Sequence, residues 1–215
     1  MKISNPYAQH PPRWLDYRQN YVLAHHVFKS AATVNRFGAR YRLAKAFKSI
    51  ELDGYHAATV NGYCSLTRLM LAWGAFEGLL IAIGKTKHDL EQISSRYDYA
   101  GLLKELGKSD PERRFFSFVR ENIHNKNQKG EVQKFITGQP CCGLTLAKSV
   151  RHIFVHGLLT PSANQTEPTL AAAVCEQLTF CLFKVMDREF TERLQELLGD
   201  KLSFASLSDE DFPPF

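Results

Sequence analysis

The chain has 215 residues, 44% of them hydrophobic, 12% aromatic and 23% charged, with a formal net charge of +5. That length suits one large domain, or one domain with an arm, and the composition excludes a chain disordered throughout. No apolar run reaches the roughly 20 residues that a membrane span needs, since the longest, Leu69 to Ile83, is shorter and carries Glu77.

Residues 1–12 hold three of the nine prolines and read as an arm. From Arg13 to about Asn35 the spacing of Trp14, Tyr17, Tyr21, Ala24 and Phe28 predicts a helix, which Gly38 interrupts. Residues 37–50 fit either a helix or a short ribbon, and Asp53-Gly54 reads as a turn. A long, central helix is expected from His56 to Ile83, stopped by Gly84.

A short helix follows near Tyr99–Leu106, ending at Gly107. Asp110-Pro111-Glu112 starts another, with Phe115, Phe116 and Val119 on its buried side. Asn125 to Gly130 reads as a polar loop, Leu144 to Val155 as a helix stopped by Gly157, and 162–168 as a loop. Leu170, Val174, Leu178, Cys181, Val185 and Leu194 mark a last helix, stopped by Gly199-Asp200. The expectation is an all-α, antiparallel helical bundle. An arm and basic segment (1–55) precede the bundle (56–199), and an acidic tail (200–215) follows it.

The charge is uneven. Between Met1 and Ile50 stand nine Lys or Arg and one acid, Asp16. Such a segment attracts phosphates without sequence readout, or is simply a solvated basic face. Arg40 and Arg42 are its candidate RNA contacts. The five cysteines are odd in number, with Cys141-Cys142 adjacent and no Cys-x-x-Cys motif, so neither a disulfide framework nor a zinc pattern is present. The start Met1-Lys2-Ile3-Ser4-Asn5-Pro6 has no apolar leader. A cytoplasmic protein without a membrane anchor is expected.

Three motifs carry possible chemistry. Gly84-Lys85-Thr86 ends like a phosphate loop, but Leu79 stands where the first glycine belongs. His152 and His156 have a metal-ligand spacing on a helix, but no fixed third ligand accompanies them. No metal and no cofactor are therefore assigned. Arg151 and His156 supply what RNA cleavage needs: a permanently charged fork for phosphate, and a group that moves protons near neutral pH. RNA carries its own nucleophile, the 2′-OH. Arg18 and His25 have a compatible spacing too, so spacing alone does not select a pair.

Context selects Arg151. The segment Leu146–Gly157, with Arg151, the polar His152 and four residues between Arg151 and His156, resembles the motif of HEPN domains. Ala72-Trp73-Gly74-Ala75-Phe76-Glu77-Gly78 also looks like the central helix of that family. The resemblance covers roughly residues 56–198. It implies a helical bundle, usually a homodimer with motifs facing across the two-fold axis. It also implies metal-independent endoribonuclease activity that leaves a 2′,3′-cyclic phosphate. Many relatives are toxins or defence nucleases, which makes an antitoxin protein a partner to consider. Where relatives pair with nucleotidyltransferase antitoxins, a Tyr lies two residues past the motif His; here Leu158 occupies that place.

On this reading Arg151 holds phosphate, His156 is the general acid or base, and His152 supports one of them. Glu77 either orients Arg151 or His156, or lies on a wet stripe of its helix. Lys148, Lys126 and Lys129 join Arg40 and Arg42 as candidate RNA contacts. The alternatives are a catalytically silent HEPN-like module that binds RNA or a protein, and a structural dimer that binds no nucleic acid.

Overall fold

A computed structural model of the chain describes residues 9–86, 88–162 and 166–198. Among the described residues every regular element is a helix and none is a strand. In chain order they are α1 (Trp14–Gln19), a short 3₁₀ turn (Ala24–His26), α2 (Ala31–Ala46), α3 (Ala57–Ala82), α4 (Leu90–Ser94), α5 (Ala100–Ser109), α6 (Arg114–Glu121), α7 (Lys126–Ile136), α8 (Gly143–Val155) and α9 (Pro168–Leu198). The all-α expectation holds.

The two long helices follow from their sequences. Leu66, Leu69, Trp73, Phe76 and Leu80 recur at three to four residues along α3 and are all buried. Gly84, at φ 72°, supplies the left-handed residue that ends the helix. The helix running through 82 also removes any phosphate loop at Gly84-Lys85-Thr86. α9 packs along α3 more extensively than any other pair, and α2 lies on α3. By length and composition alone both α3 and α9 could cross a membrane. In each, 61% of the most apolar window is buried inside the fold, so their apolar faces are used as core.

The N-terminal segment departs from the expected single helix. α1 ends at Gln19, where the Asn20 amide donates to the Asp16 carbonyl at 2.9 Å and competes with the helical ladder. The chain turns, and α2 restarts at a Ser30 cap whose Oγ accepts from the Thr33 N–H at 3.3 Å. Gly38 does not interrupt anything: it lies inside α2, beneath the Trp14 ring. The ambiguous stretch after it is helix as far as Ala44–Ala46.

This segment shares the core of the bundle. The Phe190 ring on α9 has Trp14, Tyr17, Phe28 and Phe37 around it, with centroids 5.5–6.2 Å away. Fully burying one such side chain is worth about 1.5–3 kcal/mol. Tyr41 of α2 adds a polar tie, donating to the Asp187 carboxylate on α9 at 2.6 Å.

Two further differences concern the middle of the chain. α5 runs past Gly107 to Ser109, and α6 is started by the buried Asp110, whose carboxylate accepts from the Phe115 and Phe116 N–H groups. The polar run 125–130 is not a loop but the start of α7. Asn125 caps it, accepting from the Gln128 N–H at 3.1 Å, and Gln128, Val132 and Phe135 form its buried face. The Gly199-Asp200 stop and the acidic tail lie outside the described residues.

Candidate active-site cleft beside helix α8

The sequence of α8 sorts its faces. Leu144, Ala147, Val150 and Ile153 are spaced for one stripe and are fully buried. Lys148, Arg151 and His152 fall on another stripe, which His156 continues one turn further. The helix begins at Cys142, whose Sγ accepts from the Thr145 N–H at 3.3 Å. It ends at His156, the capping residue, followed by Gly157 at φ 72°.

That polar stripe borders a cleft of about 1610 Å³ formed by α3, the α4–α5 region, α7 and α8. Of the residues expected at the site, Arg151, His152, Lys148, Lys126 and Glu77 line it. His156 does not line it. It is exposed beyond the rim, and its ring meets that of His152 with centroids 4.4 Å apart. Lys129 does not line the cleft, nor do Arg40 and Arg42, which lie on α2. The Arg40 guanidinium instead donates to the Gly74 carbonyl on α3 at 3.3 Å. Arg18 and His25 are exposed in the N-terminal segment and do not line the cleft.

Glu77 has a definite partner. Its carboxylate accepts from the Trp73 indole N–H, one turn before it, at 2.9 Å. No ion pair joins it to Arg151 or His156 among the described residues. Glu77 therefore faces the cleft, held by Trp73.

The electrostatics around α8 are cationic. Burial pushes the His152 pKa below its ordinary value, and the charges of His156, Arg151, His124 and Lys148 push it further the same way. The lowered pKa favours the neutral imidazole, the form able to accept a proton. Arg151 forms no ion pair among the described residues, and its Nε is buried without a hydrogen-bond partner. A guanidinium held this way retains donors for an anion.

Two residues in or near the cleft come from the run His124–Lys129, which the sequence offers either as a contact to RNA backbone or as a solvated loop. His124 lies just before α7, near enough to His152 to lower its pKa. Gln128 lines the cleft from α7 although it is 6% exposed. Both sit in what reads as a solvated polar loop; the capping of α7 turns Gln128 inward, while His124 stays exposed and outside the lining. Among the described residues no group of three or more His, Cys, Asp or Glu is placed to hold a metal ion. In comparison with known proteins, the chain matches no family model, no curated protein and no solved structure.

Proposed function

We propose that the chain is a metal-independent endoribonuclease of HEPN type, acting at the α8 edge of the cleft. The observation that carries this reading is the stripe on α8: Arg151 with a buried, unpartnered Nε, beside His152, whose pKa is lowered and whose ring meets that of His156. Arg151 binds two phosphate oxygens as a fork. One imidazole takes the 2′-OH proton as the 2′ oxygen attacks phosphorus. The other gives a proton to the departing 5′ oxygen. The products are a 2′,3′-cyclic phosphate and a 5′-OH end. With its pKa lowered, His152 suits the base, and His156 the acid.

The pair would work in a homodimer. Val155 is 45% exposed and Leu158 37% exposed, flanking His156 with apolar surface. A second copy docked there would cover that surface and draw His156 toward a closed site. The expected result is a dimer by light scattering at micromolar concentration, with Val155→Glu both monomeric and weakly active.

One observation favours the silent binding module instead: His156 stands outside the cleft. The deciding experiment incubates purified protein with single-stranded RNA and DNA in excess chelator. RNA cut with cyclic phosphate ends, and DNA intact for want of a 2′-OH, supports the nuclease. Cleavage that needs added divalent metal, or RNA bound and left whole, rejects it.

A further inference from the structure

The cations of this protein are treated in two ways. Lys108, Arg114, Arg188 and Arg193 each pair with a carboxylate. On α2, Arg36, Arg40 and Arg42 are exposed, and none forms an ion pair among the described residues. The sequence gives them no local counter-charge, since no acid stands between Asp16 and Glu51. The Asp187 carboxylate that Tyr41 bonds lies on the buried side of the helix, beside Lys45. Helical spacing puts Arg36 and Arg40 on one flank of the solvent face, with Ala39 and Leu43 on its outermost line. Arg42 takes the other flank, near enough to His10 for its charge to add to burial, the larger cause, in lowering the His10 pKa. Like charges four residues apart oppose helix formation, and an anion between them relieves that repulsion.

We infer that the outer face of α2 docks the phosphate backbone of a single-stranded nucleic acid, one phosphate on each of Arg36, Arg40 and Arg42, and reads neither base nor sugar. From Arg36 to Arg42 the helix rises about 9 Å, which spans about three phosphates of one strand at their stacked spacing. Each guanidinium presents a fork that fits two phosphate oxygens. A lipid surface suits the helix less well. The apolar side of α2, with Val34, Phe37 and Tyr41, is buried in the core, and Leu43 is the one large apolar side chain exposed on it. An interfacial helix needs that apolar side free to enter the membrane. The surface is distinct from the cleft. Arg40 donates to the Gly74 carbonyl, and its side chain packs near Gly78, whereas Trp73 and Glu77, on the adjoining face of α3, line the cleft. It goes beyond the ribonuclease reading and does not depend on it, because a surface that holds only phosphate binds DNA, which the cleft is expected to leave uncut.

The test uses the full chain and fluorescence anisotropy with labelled thymidine and adenine DNA dodecamers across a salt series. Both dodecamers are expected to bind with similar affinity, and binding should fall steeply with salt. The triple variant Arg36→Gln, Arg40→Gln, Arg42→Gln should flatten the slope of log K against log salt by about 2, at about 0.7 per phosphate contact, and weaken binding about 100-fold at 0.1 M salt. A triple lysine variant at the same positions keeps the charges and should retain most of the slope, which a structural role for the arginines would not allow. Lys108→Gln, Arg114→Gln, Arg193→Gln removes the same net charge from paired positions and should bind like the parent. Equal loss in the two glutamine variants means that net charge alone acts, and overturns the inference. So does an absence of DNA binding, or a preference for one dodecamer that the α2 arginines set. Phosphatidylserine vesicles that sediment the parent but not the α2 variant, with no DNA bound, overturn it in favour of a lipid surface. RNA cleavage is scored separately. A parent that cuts no RNA but binds DNA through α2 removes only the nuclease. A parent that cuts RNA while the α2 variant binds DNA unchanged removes only this surface.

Discussion

His152 and His156 stand one turn apart on α8 with ring centroids 4.4 Å apart, close enough that a proton on one opposes a proton on the other. His152 lies inside the cleft and His156 outside it. The pair thus joins the enclosed space to the exposed end of the helix, and the first two predictions concern it.

His156→Ala and Arg151→Ala are each expected to lower RNA cleavage by about 100- to 10,000-fold, the usual loss for one positioned acid–base group or one charge-stabilising donor. Both should keep the parent's circular dichroism, because His156 is exposed and Arg151 makes no ion pair among the described residues. Arg18→Ala and His25→Ala, which lie away from the cleft, should cut like the parent. Equal activity of His156→Ala and parent in a single-turnover assay ends the mechanism.

The His152 pKa is lowered by burial first and by His156 next. The folded state therefore resists protonating it. Its contribution to stability is present above the ordinary histidine value of about 6.5 and is lost as pH falls through the lower folded value. His156→Ala removes one of the opposing charges, so the His152 midpoint should rise. An NMR titration of the imidazole signals checks this, and a fall in the midpoint contradicts the arrangement.

Asp187 gives a prediction of opposite sign. Desolvation raises its pKa from 3.8 to about 6, against the lowering effects of the Tyr41 hydrogen bond and the Lys45 charge. Its stabilising contribution is present below the unfolded value and is lost as pH rises through about 6. Asp187→Asn keeps an acceptor for Tyr41 and removes the charge. It should stabilise the fold by about 1–3 kcal/mol at pH 8 and have little effect at pH 4. Urea unfolding at the two pH values reads the difference.

Gly38 tests how the N-terminal segment docks. A Cβ there would lie 2.2 Å from the Trp14 ring, whose three nearest atoms are all within 2.8 Å. Alanine is normally the better helix former, by about 1 kcal/mol, yet here Gly38→Ala must displace an indole buried against Phe190. Net destabilisation of about 1–3 kcal/mol is expected. Thermal unfolding that shows Gly38→Ala more stable than the parent would mean that Trp14 is not seated on α2.

The sequence by itself determined the features that depend on neighbours along the chain. The apolar spacing of α3 and α9, the glycine stops at Gly84 and Gly157, and the placing of Lys148, Arg151 and His152 on one face of α8 all follow from 3.6-residue periodicity and local backbone preference. What only the tertiary structure decided are the features that depend on distant partners. Gly38 reads as a break until Trp14, 24 positions earlier, is found lying on it. The polar run 125–130 reads as solvated loop until the burial of Val132 and Phe135 pulls α7, and Gln128 with it, against the bundle. Arg40 and Arg42 share the net positive charge with Lys126 and Lys148, and charge carries no direction. Packing α2 on α3 leaves the first two outside the cleft lining, while α7 and α8 bring the other two into it. Local periodicity places a side chain on one face of its own helix, but which helix that face meets is set by burial between segments far apart in the chain.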